Sequence, residues 1–160
     1  MLPATDHVAR SCKNSSLDKR TGRPTPASFE FRLNDGDWHD TYLSVNWLEF
    51  LLPQGDFSAK LAQLRAFLLG DHGLPVIKPT VNTAFAVIPV ADIHAAQLTE
   101  GATTLECRHA PQGDGDPHSG IYPNPGVDQW PANRDAAAHL AIQQLLFQKT
   151  CHVERGILAA

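Results

Sequence analysis

Apolar and polar residues alternate with a period of two in two stretches of the first third of the chain. Phe29, Phe31 and Leu33 are interleaved with Glu30 and Arg32, and Leu43, Val45 and Trp47 with Tyr42, Ser44 and Asn46. Such alternation marks half-buried strands, and Asn34-Asp35-Gly36-Asp37 between them has turn chemistry. A β-hairpin is predicted. From Phe57 the period lengthens, with Phe57, Leu61, Leu64 and Leu68 on one helical stripe, Asp56 placed to cap its start and Gly70 just past its end. Thr83 to Val90 is apolar on both faces and predicts a central strand that ends at Pro89. Ala91 to Leu98 has room for one or two helical turns. Thr103 to His109 alternates again, with Leu105, Cys107 and His109 on one face. The Gly-, Pro- and Asp-rich stretch from Ala110 to Pro131 predicts a long loop. Ala138, Ala141, Ile142, Leu145 and Leu146 then predict a closing helix over Asn133 to Thr150.

Residues 1–26 show no sustained period and end in the breaker cluster Gly22-Arg23-Pro24-Thr25-Pro26. They are expected to form an irregular N-terminal arm, and 27–160 a single α+β domain: a mainly antiparallel sheet with two principal helices packed on one face. At 160 residues and 42% apolar composition, the chain can bury a sizeable core without staples.

No apolar run approaches the ~20 residues needed to span a bilayer, so no membrane partner is expected. Asp6, His7 and Arg10 stand where a signal peptide would need its apolar stretch, which points to the cytoplasm. Three widely separated cysteines, Cys12, Cys107 and Cys151, fit reduced thiols better than a disulfide framework. A net charge of −4 speaks against nucleic acid as a partner. The charge is uneven, however, because Arg10, Lys13, Lys19, Arg20, Arg23 and Arg32 crowd the first fifth of the chain. That arm reads first as a solvated surface, with contact to RNA or another anion as the alternative.

The residues able to carry chemistry gather around the expected loop. His109 and His118 bracket Asp114 and Asp116. Two histidines at the ends of one loop could serve as base and acid, with a carboxylate such as Asp116 fixing a tautomer. The competing account gives His109 a local hydrogen bond at a strand end and Asp116-Pro117 a turn. Cys107 and His109 share a strand face at a spacing that suits joint metal ligation, but a third ligand is needed and no CxxC or HxxxH spacing supplies one. Ser119 beside His118 lacks the Gly-x-Ser-x-Gly context of a nucleophile elbow. Cys12 lies near Arg10 and Lys13, whose charges would lower a thiol pKa; an exposed, inert thiol is the alternative. Tyr42, Ser44 and Asn46 form a polar strand face that could line a groove, or stand simply exposed.

His7-Val-Ala-Arg-Ser-Cys12, Leu43-Ser-Val-Asn-Trp-Leu-Glu-Phe50, and His109-Ala-Pro with Asp116-Pro-His-Ser-Gly-Ile121 resemble segments of small uncharacterised bacterial proteins. The resemblance implies no activity and no cofactor. It does group His7, Cys12, Asn46, Trp47, His109 and His118 into one pattern.

The first expectation is therefore a small cytoplasmic bacterial accessory or protein-interaction module that meets a protein partner through its polar strand face and the Asp114 to Tyr122 loop. The alternative is a histidine-dependent hydrolase or phosphodiester-cleaving enzyme, with His109 and His118 as acid and base. A zinc-stabilised binding domain is the third reading. Geometry separates them: convergence of His7, Cys12, His109 and His118 within about 8 Å around a concave pocket favours chemistry or metal, and separate surfaces sink the enzyme reading.

Overall fold

The computed structural model describes residues 1–31, 33–34, 38–39, 42–98, 103–123, 130–131 and 136–155. Its main sheet is built from β1 (His7–Cys12), β4 (Leu43–Trp47), β5 (Ala84–Pro89), β6 (Gln97–Leu98), β7 (Thr103–His109), β8 (His118–Pro123) and β10 (His152–Arg155). These seven strands run in the order β10-β5-β1-β4-β8-β7-β6, every neighbouring pair antiparallel. A small second sheet joins β2 (Leu33–Asn34), β3 (Trp38–His39) and β9 (Trp130–Pro131). The helices are α1 (Leu48–Leu51), α2 (Phe57–Leu69), α3 (Val90–His94) and α4 (Ala136–Lys149). The fold is α+β, as the strand and helix periods indicate.

The two long helices take opposite faces of the sheet, not the single face expected. The reason lies in β5, where Ala84, Ala86 and Ile88 point one way and Phe85 and Val87 the other, all fully buried. A strand that is apolar on both sides needs cover on both sides. Leu61, Leu64 and Leu68 of α2 close over Ala9, Phe85 and Val87. Ala138, Ile142 and Leu146 of α4 close over Val8, Cys12, Ala86 and Ile88 on the other side. Each such fully buried large side chain stabilises the fold by about 1.5–3 kcal/mol. The start of α2 is set as its sequence indicates: the Asp56 carboxylate accepts from the Ala59 N–H at 2.8 Å, a cap worth about 1 kcal/mol.

Four further expectations are corrected. Residues 7–12, read as part of an irregular arm, form β1 at the centre of the sheet, with all six residues paired to β5. Its alternation is hidden because Arg10 falls between the core residues Val8 and Cys12. Phe29 and Phe31 are core residues, but Phe29 closes a short 3-10 turn at Pro26–Phe29 and belongs to no strand. The partners of β4 are β1 and β8, so the expected hairpin with the preceding segment is not formed, and its turn at 35–37 lies outside the described residues. Within the stretch read as a long loop, His118–Pro123 forms β8, which pairs with both β4 and β7. Gly120 and Pro123 mask that strand in the sequence, and pairing on both sides overrides their poor strand propensity.

Cys12 and Cys107 are buried at 1% and 0% exposure, whereas Cys151 is exposed. Burial pushes the Cys12 thiol up to about 11 and the Cys107 thiol to about 12. Alkylation of the native protein by iodoacetamide at mildly alkaline pH is therefore expected to modify Cys151 alone, and all three thiols only after denaturation. Peptide mapping by mass spectrometry checks this; rapid native labelling of Cys12 would contradict its placement in the core.

Candidate ligand pocket

The main sheet is split along one internal line. β1 and β4 pair only at Val8 with Trp47 and at Ala9 with Asn46; beyond that, Arg10–Cys12 stays with β5 while Leu43–Val45 stays with β8. A pocket of about 630 Å³ opens at this fork, a volume typical of small-molecule sites. Arg10, Ser44, Asn46 and His118 form part of its lining. The connector 75–79 and the loop 110–117 supply further wall, and the two segments approach each other where the Leu74 side chain covers Gly113.

Arg10 bridges the fork. Its Nε donates to the Ser28 carbonyl at 3.0 Å and its Nη1 to the Ser44 carbonyl at 2.8 Å. The second bond satisfies a β4 carbonyl that the parted strands leave without a ladder partner, the first ties the 3-10 turn at Pro26–Phe29 to β1, and a bond from a charged donor contributes about 1.5–3 kcal/mol. Desolvation pulls the guanidinium below its ordinary pKa, with a small opposing effect from Cys12, yet an arginine stays charged. Among the described residues no carboxylate pairs with it. Lys13 and Lys78 also line the pocket, against Glu30 and Asp116.

The loop between β7 and β8 is held from within by Asp116, which is 1% exposed. Its Oδ1 accepts from the His118 N–H at 3.0 Å and its Oδ2 from the Gln112 N–H at 2.9 Å. The carboxylate that the sequence offers as a catalytic partner is thus spent on the turn. His118, at the start of β8, uses both ring nitrogens: Nδ1 lies 2.8 Å from the Ala110 carbonyl and Nε2 lies 2.8 Å from Ser44 Oγ. Tyr42 meets the His118 ring edge-on at 5.8 Å. A Cβ at Gly120 would approach the Tyr42 ring to 2.5 Å, so the bare glycine is what lets that ring lie against the sheet.

Of the residues singled out in the sequence, Tyr42, Ser44, Asn46, Asp116 and His118 come together here. His7, Cys12, Trp47 and His109 do not. His109 ends β7 on the opposite face of the sheet from His118, because it pairs directly with Ser119. Its Nε2 lies 2.7 Å from the Asp116 carbonyl, and its ring packs on Trp47 and Phe50 at 5.3 and 4.7 Å. The two histidines share a loop but no cavity, which removes them as an acid–base pair. Trp47 points with His109, its indole N–H donating to Asp6 at 2.8 Å. Cys12 is in the core and its thiol pKa is raised, against the lowering expected from Arg10 and Lys13. Among the described residues no three metal-ligating side chains gather, so Cys107 and His109 gain no third ligand there. Of the basic cluster, Arg10 and Lys13 reach the pocket, and Arg32 lies outside the described residues. Sequence reasoning missed Arg10 and Gln112 as lining residues. The signal for Arg10 was a charge flanked at i−2 and i+2 by Val8 and Cys12, legible only once the segment is seen as a strand.

His7 belongs to a separate ionic cluster. Its backbone N–H and ring Nδ1 meet Glu49 at 2.8 and 3.0 Å, and Lys60 Nζ meets the same carboxylate at 2.7 Å. The cluster ties β1 to α1 and α2.

No protein-family model, curated protein or solved structure matches the chain.

Desolvation works to raise the Glu49 pKa, but hydrogen bonds from Lys60 and His7 outweigh it and hold the carboxyl below its ordinary value. A depressed carboxyl stabilises the fold fully above its unfolded pKa, and that contribution is lost as pH falls through the native value. Glu49→Gln should therefore flatten the acid limb of stability, measured as denaturation midpoint against pH. Glu49→Ala, which leaves Lys60 without its partner, should cost about 3 kcal/mol at neutral pH. An unchanged midpoint in both variants would refute the role assigned to the cluster.

Proposed function

We propose that this chain is a small binding module whose pocket at the β1–β4 fork takes a ligand bearing a carboxylate or phosphate group. The observation that carries the reading is Arg10. Its charge faces a 630 Å³ pocket with two carbonyl oxygens and no carboxylate as partners among the described residues. A cation withdrawn from water favours an anion nearby, and guanidinium geometry suits planar oxyanions. Lys13 and Lys78 add positive charge, while Asn46 and Gln112 bring neutral hydrogen-bonding groups that can orient a ligand.

This reading narrows the accessory-module expectation. The polar face of β4 and the loop before β8 are the contact surface in both, and the partner becomes a small anionic molecule. No helix among the described residues is long and apolar enough to cross a membrane.

Titration with phosphate, acetate and succinate at constant ionic strength is expected to raise Tm in a saturable manner with at least one of these anions, since a ligand that binds only the native state stabilises it. Amide resonances of Ser44, Asn46 and Gln112 should shift with the same midpoint. Lys13→Gln/Lys78→Gln should weaken binding severalfold, and Arg10→Gln should abolish it. The proposal falls if none of the anions exceeds a chloride control and the pocket resonances stay fixed. The resonance readout on the wild-type protein decides the matter even if Arg10→Gln does not fold.

A further inference from the structure

We propose that Ser44 and His118 form a nucleophile and general-base pair that hydrolyses small carboxylic esters carrying a second, anionic group. The anionic group is inferred from the pocket reading above; the Ser44–His118 chemistry rests on its own geometry.

The carbonyl of Ala110 can only accept, so the 2.8 Å contact with His118 Nδ1 requires that nitrogen to carry the hydrogen. In the neutral ring Nε2 then holds a lone pair, and the 2.8 Å contact with Ser44 Oγ is a hydroxyl donating to it. A hydroxyl aimed at an imidazole whose other nitrogen is fixed by a third group is the arrangement that activates a serine. Here a backbone carbonyl takes the place of a carboxylate.

That carbonyl is itself held. The Ala110 N–H donates to the His118 carbonyl at 2.9 Å, and Asp116 clamps the intervening loop through Gln112 and His118. Asp116 and Ala110 are positioning residues. Ser44 and His118 occupy neighbouring strands, on the face that opens into the pocket. Rigid strands of one sheet locate both partners more firmly than a mobile loop would. Asn46, two residues along β4 on the same face as Ser44, is placed to offer its amide to a developing oxyanion.

The chemistry balances within these groups and water. Ser44 Oγ attacks the ester carbonyl carbon while its proton passes to His118 Nε2. The tetrahedral intermediate collapses as the C–O bond to the alcohol breaks, and His118 returns the proton to the leaving oxygen. Water then adds to the acyl-serine with His118 as base; the acid leaves, Ser44 recovers its proton from His118, and no redox step or co-reactant is needed.

The test uses the full-length protein with p-nitrophenyl acetate, mono-p-nitrophenyl succinate and a fluorophosphonate that marks activated serines. The succinate ester is expected to turn over faster than the acetate, and the fluorophosphonate to modify Ser44 stoichiometrically by peptide mapping. Ser44→Ala should abolish both. His118→Gln should slow both by about 100-fold or more, the range of a lost general base. Cys151→Ser should leave both unchanged, which excludes hydrolysis by the exposed thiol. Each variant is compared at matched Tm and with the anion titration, so that the two proposals are judged apart. Anion binding without turnover or Ser44 modification overturns the catalytic pair and leaves the binding module standing. Turnover of both esters at equal rates, with Ser44 modified and no anion binding, overturns the anionic specificity and leaves the pair. Should His118→Gln not fold, fluorophosphonate mapping on the wild-type protein alone decides: modification elsewhere, or none, refutes the assignment.

Discussion

The Arg10 guanidinium, reaching from β1 across the fork to the Ser44 carbonyl of β4 and to the Ser28 carbonyl of the 3-10 turn, is the contact on which the rest of the arrangement depends. A sheet that divides internally leaves backbone oxygens without partners, and in a covered sheet those groups carry a desolvation penalty. Arg10 answers the need of Ser28 and Ser44 while keeping a net charge at the fork. The strands can therefore part, and a cavity persists where continued pairing would have filled the space. One side chain both tolerates the defect and gives it electrostatic character.

Around this fork the molecule is built to hold polar groups still. Asp116, almost wholly buried, spends both carboxylate oxygens on backbone N–H groups of its own loop. The loop in turn presents the Ala110 carbonyl to His118. Behind β4, the Glu49 carboxylate gathers His7 and Lys60 and fixes the exit of the strand into α1. These clusters sit on different elements and have no common side chain. Both restrain the same end of the β4–β8 pair, where Asn46 lies opposite His118.

Helices α2, α3 and α4 and the β5 and β7 strands were legible because their information is local. Asp56 caps, Leu61, Leu64 and Leu68 repeat at helical spacing, and Thr103 to His109 alternates without interruption. Two strands that flank β4 were not. β1 carries Arg10 at a position where periodicity demands an apolar residue, and β8 carries Gly120 and Pro123 where propensity argues for a turn. Both are defined by pairing with segments distant in sequence, and each departs from the local pattern where the pocket needs it to. The same holds for individual residues. Ser44 and Asn46 could be placed on a polar face from alternation alone, and His118 could be singled out from composition. Their meeting depends on the register of β4 against β8, which no local period encodes. The grouping of Trp47 and His109 with them failed for a related reason: residues close in one strand pattern face opposite sides of the sheet. His7 shares their face but is held away from them by Glu49 and the α2 side chains.

Gly120 shows how an absent side chain can set dimensions. Tyr42 and Tyr122 lie against the sheet at that position with ring centroids 4.9 Å apart. Any Cβ there would lift the Tyr42 ring off its seat, beside the hydroxyl of Ser44 and the imidazole of His118. The height of the pocket above β8 is thus calibrated from below, by a hydrogen atom. In lineages or libraries of this scaffold, residue 120 would act as a volume control for whatever the cavity accommodates, acting through tyrosine tilt without changing a single polar group.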